Sequence, residues 1–383
     1  MQENLNEIYS FLKENNALSL VLYKILGKGL MRRAHAWYDG NIVRYLAPSD
    51  MRSQRISDFL KGFGDESLIR SFYAKYLKPP ESGISIDTTA LPNQADLDIT
   101  HCGHSSETME EEIKLLLVMD RERNRPLYFR YLPGSILDVS VLETTRSEME
   151  NLGIRSSLTI MDAGFFSENN IGSMCDRKHD FLIRVPANRS IYRDAIERSS
   201  YIEDPDKAVI YGNRILFIQS TMEKFSGHSV HVHTILDPER RGRELRRYLL
   251  KYPKDYDAFT VKRKGFMVLM SSSHIEREKL IPLYYSRQYV EKAFSYSKDD
   301  LSLLPLRVHR EESLRGYLFI TFLSLIVYME IQKRLESVEL SMDILRNIKC
   351  KVYDREIVLQ ELTKDQKKLF EKINVIVPNV MGI

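Results

Sequence analysis

A tyrosine, an arginine, a glutamate and a lysine recur at helical spacing late in the chain, as Tyr284, Arg287, Glu291 and Lys298. At about 100° per residue, an α-helix would place these four side chains within an arc of roughly 60°. One face would then present a carboxylate, two cations and a phenol, which suits a site that holds both a metal ion and a phosphate. A solvated helix face with an ordinary Arg–Glu pair four residues apart is the alternative interpretation.

The opposite side of the same segment is apolar. Tyr289, Val290, Ala293 and Phe294 would fall there, which predicts that the helix packs against a hydrophobic core. Pro282 lies just ahead and fits the first turn of a helix. The pattern therefore predicts one continuous, core-anchored helix through the four polar residues.

Two aspartates upstream each follow an apolar strand pattern. Ile84 and Ile86 alternate with polar residues and predict a strand with Asp87 at its C-terminal end. The apolar run 158–161 predicts a second strand that ends at Asp162. Open α/β sheets present their chemistry at the carboxyl ends of strands. A lone aspartate at such a position is also a common turn former or helix cap, so both interpretations stay open.

A dense group of arginines follows Pro238. Its members are Arg240, Arg241, Arg243, Arg246 and Arg247. Guanidinium pairs with phosphate through two parallel hydrogen bonds, so the group is a candidate contact with a DNA backbone. Asp237, Glu239 and Glu244 lie alongside and could instead neutralise the arginines within a solvated helix.

Two groups of metal-ligand types are weaker candidates. His231 and His233 alternate with valines on a predicted strand, which favours a polar strand face over a metal site. His101, Cys102 and His104 lack the paired spacing of a structural zinc site.

Composition predicts a soluble, globular protein. The 383 residues are 43% hydrophobic and 28% charged, and the net charge of +3 is compatible with nucleic-acid binding without arguing for it. Three scattered cysteines fit a reducing cytoplasm. The polar N-terminus shows no signal peptide. The apolar run 316–329 is shorter than the roughly 20 residues of a membrane span and predicts a buried helix.

The remaining patterns predict an order of elements. Apolar residues at helical spacing predict helices over 1–78, whose scattered cations could bind DNA phosphates or simply solvate a bundle. A hairpin is expected over 113–132, followed by a helix that Asp138 could cap. Short β-like pieces follow residue 188, a returning strand is expected over 258–270, and amphipathic helix over 330–372.

The spacing Tyr-x2-Arg-x3-Glu-x6-Lys at 284–298 matches the motif of DDE transposases of the insertion-sequence-four group. The run Ile-Asp-Thr-Thr-Ala-Leu around Asp87 resembles the first-aspartate motif of that family. Asp-Ala-Gly-Phe-Phe, which begins at Asp162, resembles the second. Gly-His-Ser at 103–105 is similar to the end of a loop between them. The resemblance extends from about residue 52 to about residue 335.

The resemblance implies an α/β fold with an RNase H-like core of mixed sheet, interrupted by a β-rich insertion domain. Helical N-terminal and C-terminal regions would flank it. The implied division is a DNA-binding region at 1–78, core segments at 79–187 and 262–335, an insertion at 188–261, and a helical C-terminal region at 336–383.

The same resemblance implies cut-and-paste transposition of an insertion sequence, through metal-dependent hydrolysis at the transposon ends and strand transfer by the 3′-OH. Two Mg²⁺ (or Mn²⁺) ions would be held by three acids. Asp87 would bridge the ions, Asp162 would bind one of them and Glu291 the other.

The DNA contacts follow from the same family. Tyr284, Arg287 and Lys298 would hold phosphates near the scissile bond, and the arginine group at Arg240, Arg241 and Arg243 would contact the backbone. The partners would be double-stranded DNA, as terminal inverted repeats and target, and a second copy of the chain in a homodimeric synaptic complex. No membrane is expected, and the protein would lie in the cytoplasm with the nucleoid. A nuclease that cuts without joining, or an inactive repressor that binds DNA ends, are the alternative functions.

Overall fold

The computed structural model describes residues 2–382 except 77–78, 81, 94, 96, 103–110, 200, 337–339, 355, 373–374 and 377. The N-terminal region is helical, as its apolar spacing predicts. Its helices are α1 (Gln2–Glu14), α2 (Leu18–Leu22), α3 (Ala34–Asp39), α4 (Val43–Leu46), α5 (Ser53–Phe63) and α6 (Glu66–Tyr76). A π-helical turn (Tyr23–Gly27) and a 3₁₀ turn (Met31–Arg33) separate α2 from α3.

A mixed sheet begins directly after these helices. Its strands in this part of the chain, with the helices between them, are β1 (Ile84–Pro92), β2 (His101–Cys102), β3 (Glu111–Asp120), β4 (Arg125–Pro133), α7 (Asp138–Asn151), β5 (Leu158–Met161), α8 (Glu168–Asp176) and β6 (Asp180–Arg184). β3 pairs antiparallel with β1, β2 and β4, which confirms the predicted hairpin. β5 is parallel to both β1 and β6.

Asp87 lies inside β1 and not at its C-terminal end, contrary to the sequence prediction. Parallel pairing between β1 and β5 nevertheless stops at Ile86 and Met161, which are register partners. Asp87 and Asp162 are the next residues after these two partners. Both aspartates therefore lie where the pairing of the two neighbouring strands ends, Asp87 within β1 and Asp162 just after β5.

The helix cap predicted at Asp138 is wrong, whereas the next helix has a side-chain cap. Asp138 lies in the first turn of α7, whose N-cap position is Leu137, and its carboxylate pairs with Lys114 at 3.3 Å. Asp138 is therefore not the cap. Ser167 caps α8, because its side chain accepts a hydrogen bond from the backbone N–H of Asn170 at 3.1 Å.

The region after β6 continues the same sheet. It contains α9 (Ser190–Glu197), β7 (Ala208–Tyr211), β8 (Arg214–Phe225), β9 (His228–Leu236), α10 (Pro238–Lys251), α11 (Ala258–Lys262) and β10 (Phe266–Ser271). β10 pairs with β6 on one side and β9 on the other, so β7, β8 and β9 extend the core sheet. Strands β7, β8 and β9 lie where the short β-like pieces were expected. Hydrogen bonding between β9 and β10 joins them to the core sheet, and the division into core and insertion stays a prediction.

The start of the returning strand was also predicted wrongly. Residues 258–262 form α11, because Asp257 accepts a hydrogen bond from the N–H of Thr260 at 2.6 Å and caps a helix there.

The predicted continuous helix over 284–298 is broken. It is divided into α12 (Arg277–Tyr285), α13 (Gln288–Ser295) and a π-helical turn (Tyr296–Asp300). Ser286 lies at the break, where its hydroxyl donates to the carbonyl of Leu283 at 2.7 Å and competes with helical bonding.

The break also changes two packing expectations. Pro282 lies inside α12 and not in a first turn. Val290, Ala293 and Phe294 are buried as predicted, whereas Tyr289 is exposed.

Helix α14 (Glu311–Glu336) runs through the core. Its length and composition would allow it to cross a membrane, but 83% of its most apolar stretch is buried within the protein. It packs closely against α5, because a Cβ on Gly316 would clash with the carbonyl oxygen of Leu60. Aromatic rings extend the contact, with Phe319 of α14 stacked on Phe63 of α5 at 5.0 Å. The N-terminal helices and the sheet therefore share one hydrophobic core.

The C-terminal region is only partly helical, which corrects the sequence prediction. It contains α15 (Met342–Arg346), β11 (Cys350–Tyr353), β12 (Glu356–Leu359), α16 (Lys364–Lys372) and β13 (Val380–Gly382). β12 pairs antiparallel with β11 and β13 in a small second sheet. β-branched residues such as Val352, Ile357 and Val358 favour strand over the helix that the mixed charges suggested.

Candidate active site

Three carboxylates from distant parts of the chain meet at the guanidinium of Arg287. One of its terminal nitrogens lies 3.2 Å from Oδ2 of Asp87, on β1. The other lies 3.6 Å from Oδ1 of Asp162, just after β5, and 2.9 Å from Oε1 of Glu291, on α13. The structure thus brings together the three acids that the sequence analysis singled out. Their part in catalysis stays a prediction.

Asp87 is the most buried of the three carboxylates. Burial raises the pKa of its carboxyl to about 6, while Arg287 and a hydrogen bond from the N–H of Thr88 act in the opposite direction. The neighbouring charges of Asp162 and Glu291 add repulsion and raise this pKa further. A carboxylate held under such conditions is typical of a functional site, and a second cation could relieve its cost.

Tyr284 and Arg287 form the inner wall of the site. The buried phenol of Tyr284 donates to Oδ1 of Asp162 at 3.1 Å, and burial followed by the charge of Asp162 raises the pKa of Tyr284 well above its usual value. Burial alone would lower the pKa of Arg287, but Tyr284 and the three carboxylates together leave it raised. Arg287 is therefore a permanently charged group, and it lies 5.6 Å from the centre of the Tyr284 ring.

The outer side of the site is open. The side chain of Glu291 is 54% exposed, against 13% for Arg287 and 20% for Asp87. Glu291 thus lies at the solvent edge, while Arg287 closes the inner end. The site is therefore open to solvent on the side of Glu291.

Lys298 lies in the π-helical turn that follows α13 and is bound to β1. Its ammonium donates to Oγ1 of Thr89 at 2.8 Å and to the carbonyl of Ala90 at 3.0 Å. Burial lowers its pKa, with Asp299 and Glu112 acting in the opposite direction. The break in the predicted helix therefore still leaves Tyr284, Arg287, Glu291 and Lys298 along one edge of the sheet, although Lys298 contacts the strand and not the acids.

Thr89 is a site residue that the sequence analysis missed. Strand residues two apart share a face, so Asp87 and Thr89 project from β1 to the same side. That period of two was the available signal. It places a hydroxyl beside the first aspartate, where it positions Lys298.

The donor set fits a hard divalent cation, because carboxylate oxygens are the ligands that such ions prefer. Within the part of the chain that the structure describes, no group of three His, Cys, Asp or Glu side chains is assembled as a metal site. Arg287 lies between Asp87, Asp162 and Glu291. Binding of ions there would require the guanidinium to move away from at least some of these carboxylates.

The arginine group lies on α10, which contains no buried residue. Arg240 pairs with Glu244 at 2.6 Å, and Arg241 lies 3.7 Å from Glu203. Arg243 is exposed, and none of the residues that the structure describes forms an ion pair with it. Arg240 and Arg241 thus pair with acids, as the solvated-helix interpretation expects. Arg243 is accessible to a phosphate.

The strand histidines form a polar face, as their alternation predicts. His233 is fully buried between the hydroxyls of Ser220 and Ser271, at 2.8 and 2.9 Å. Burial lowers the pKa of His233 to about 4. A neutral ring bonded to two hydroxyls needs no metal. His101 and Cys102 are exposed on β2, whereas His104 and the Gly-His-Ser run at 103–105 lie outside the described residues.

Comparison with protein families identifies the class. A family model described as "Transposase DDE domain" matches residues 78–327, about two thirds of the chain. The protein therefore belongs to the transposase DDE domain family. Asp87, Asp162 and Glu291 all lie within the matched residues.

Other comparisons add little detail. No curated protein matches the chain. The fold is similar to that of piggyBac transposase, solved by cryo-electron microscopy as a synaptic complex with hairpin DNA. That similarity has a TM-score of 0.43 at 14% sequence identity and covers 72% of this chain. The chain spans about half the length of that transposase, 52%.

Proposed function

We propose that the protein is a DDE transposase of the insertion-sequence-four group that moves an insertion sequence by cut-and-paste transposition. The observation that carries the proposal is the meeting of Asp87, Asp162 and Glu291 around one guanidinium, within the residues that match the transposase domain. These acids come from two neighbouring strands and one helix. Such convergence is what a site for hydrolysis and strand transfer on one phosphodiester needs.

The acids would hold two Mg²⁺ (or Mn²⁺) ions, with Asp87 bridging them, Asp162 on one and Glu291 on the other. When bound, such ions activate an oxygen nucleophile and stabilise the leaving oxygen. Tyr284 would keep Asp162 oriented through its hydrogen bond. Arg287 would neutralise the acids in the ion-free protein and contact a DNA phosphate when ions are present.

The fold proposal is an RNase H-like core. The antiparallel β4–β3–β1 arrangement, continued by β5 and β6 in parallel, supports it. In chain order, the strands β7–β9 and helix α10 lie between β6 and β10 and would form the β-rich insertion. They extend the core sheet through β10.

The proposed partners are double-stranded DNA, as terminal inverted repeats and target DNA, and a second copy of the chain in the synaptic complex. Residues 1–78 would recognise the ends. Lys298 and the exposed arginines of α10 would contact the backbone. The proposed location is the cytoplasm, with the nucleoid.

The test is incubation of the full chain with duplex DNA that carries the inverted repeats flanking its coding region, with Mg²⁺, with Mn²⁺ and with EDTA. We expect metal-dependent cuts at the repeat ends and joined products when target DNA is added. Asp162→Asn is the matched control, since it keeps the shape of the side chain and removes its charge.

The alternatives give different products. Cuts without joined product would assign a nuclease. Binding to the repeats with no cuts under any metal condition would assign an inactive end-binding repressor. Either result would overturn transposition as the function of this chain.

A further inference from the structure

A cavity of about 290 Å³ lies between the N-terminal helices and the segment that leads into α14. Its floor is apolar and includes Ile56 and Leu60 of α5 and Tyr317 of α14. Its basic lining residues come from two distant parts of the sequence, Arg32 on one side and Arg307, His309 and Arg310 on the other. We call this cavity, with these four basic residues, the basic groove.

The basic groove keeps an uncompensated positive charge among the described residues that line it. No Asp or Glu occurs among the described residues that line it. Arg32, Arg307 and Arg310 are exposed, and none of them pairs with an acid in the part of the chain that the structure describes. Glu311 follows Arg310 but accepts a hydrogen bond from Tyr131 at 2.8 Å.

Three exposed arginines elsewhere on the surface are paired. Arg70, Arg177 and Arg198 lie near Glu66, Glu143 and Glu223 and form ion pairs with them. The basic groove instead gathers, from two separate segments at one concave surface, three arginines that are unpaired among the described residues. Such a surface complements a polyanion.

Hydrogen bonds join the floor of the basic groove to the segment that follows Lys298. The hydroxyl of Tyr317, on its floor, donates to the carbonyls of Ser302 and Leu303 at 2.8 and 3.0 Å. Ser302 and Leu303 follow Leu301, the residue after the π-helical turn that holds Lys298. The groove and the candidate active site are therefore linked by one short segment of the chain.

We propose that the basic groove binds the phosphate backbone of duplex DNA outside the cleaved bond, as a contact shared by the N-terminal helices and the segment after the catalytic helix. The inference rests on the proposed function and deepens it. Arginine suits this ligand because its planar guanidinium makes two parallel hydrogen bonds to a phosphate. The contact would be independent of base sequence, since phosphates carry none.

The test uses the full chain and a short duplex of mixed sequence, with binding measured as a function of salt. The groove variant is Arg32→Gln, Arg307→Gln and Arg310→Gln together. The matched control is Arg70→Gln, Arg177→Gln and Arg198→Gln, which removes the same charge from paired positions. We expect the groove variant to lose at least about tenfold in affinity and two to three units of salt slope, and the control less than one unit.

A second variant controls for misfolding of the glutamine variant. Arg32→Lys, Arg307→Lys and Arg310→Lys keeps the charges, so it should retain most of the affinity that the glutamine variant loses. Equal losses in the lysine and glutamine variants, with a lowered melting temperature, would show that these side chains act in folding and would overturn the proposal.

The remaining outcomes separate this inference from the proposed function. Wild-type cleavage of repeat-bearing DNA, with the groove variant binding as well as the control, would overturn the groove contact alone. Absence of DNA binding by the wild type would overturn both. Unchanged DNA binding with lost binding of polyglutamate would assign the groove to an acidic protein and would also overturn the proposal.

Discussion

The acid site and helix α10 both concentrate charge, but the fold holds the two sets in opposite ways. At the acid site, Asp87 is mostly buried and burial raises its pKa to about 6. On α10, no residue is buried, and Arg243 is exposed to solvent. The first arrangement costs free energy in the folded protein, whereas the second costs almost none.

The two regions therefore differ in how strongly they argue for function. Three carboxylates gathered around one guanidinium, with Asp87 mostly buried, form an arrangement that is enriched at functional sites, so the geometry argues for function. An exposed arginine helix is stable with or without DNA. The acid site therefore supports the proposed chemistry more strongly, and α10 depends on experiment.

The largest effect is expected for Asp162→Asn. Removing one of the three carboxylates should lower the cleavage rate by about 10³-fold or more, since metal-assisted charge stabilisation contributes several kcal/mol. DNA affinity should stay near the wild-type value. Single-turnover cleavage and equilibrium binding measure the two quantities, and Asp255→Asn, at an exposed position away from the acids, is the control. Cleavage at the wild-type rate in Asp162→Asn would remove this residue from the site.

Asp87→Asn should raise stability in the absence of divalent ions. Because the pKa of Asp87 is higher in the folded protein, the folded state binds its proton more tightly than the unfolded state between about pH 4 and pH 6. The stability of the wild type should therefore fall, relative to the variant, as pH rises through that window. Above it, the variant should be more stable by about 2–3 kcal/mol, at 1.36 kcal/mol per unit.

Urea unfolding in EDTA at a series of pH values measures this difference. Glu291→Gln is the control, because the Glu291 side chain is 54% exposed and should change stability little. A less stable Asp87→Asn at neutral pH would mean that the ion pair with Arg287 outweighs the cost of burial.

The acid site illustrates what the sequence could predict. Strands β1 and β5 follow from their apolar patterns, and Asp162 follows its strand as expected. The meeting of these acids with Glu291 could only be inferred from the family resemblance, because it depends on contacts between distant segments. The break at Ser286 depends on one hydroxyl that competes for the carbonyl of Leu283, which periodicity does not register.

The region around α10 illustrates the limits. Alternation predicted the strands β8 and β9, but a pattern indicates that a strand exists and not which strand it pairs with. The pairing of β10 with β9, which joins these strands to the core sheet, was therefore not predictable. The small sheet of β11, β12 and β13 was missed because its strands are only three or four residues long, too short to show a clear alternation.

On α10, the structure sharpens the choice of variant. The sequence alone suggests reversing Arg240, Arg241 and Arg243 to Glu, with at least a tenfold loss of DNA affinity at low salt, about 1.4 kcal/mol, and unchanged thermal stability. Arg240 is however bonded to Glu244 at 2.6 Å, so reversal there would place two carboxylates together and lower stability.

The better test reverses the exposed side chains Arg243, Arg246 and Arg247 to Glu. We expect the same loss of about tenfold in affinity, with an unchanged melting temperature. Arg240→Glu alone is the control and should lower the melting temperature. Wild-type affinity in the triple variant would show that α10 is an ordinary solvated helix.

The smallest effects are expected for Arg287→Ala and Lys298→Ala, each of which should reduce the salt dependence of DNA binding by about one unit of slope. Arg287 is held by three carboxylates when no ions are bound, so its contribution to phosphate binding should be larger with Ca²⁺, which supplies a divalent charge to the acids, than in EDTA. Lys298 is bound to Thr89 and the carbonyl of Ala90, and its contribution should be the same in both conditions. Salt titrations of both variants and of Asp162→Asn, with and without Ca²⁺, make the comparison. An Arg287→Ala effect that does not change with Ca²⁺ would mean that the guanidinium stays with the acids, and equal loss of binding in all three variants would mean that these residues serve folding rather than DNA contact.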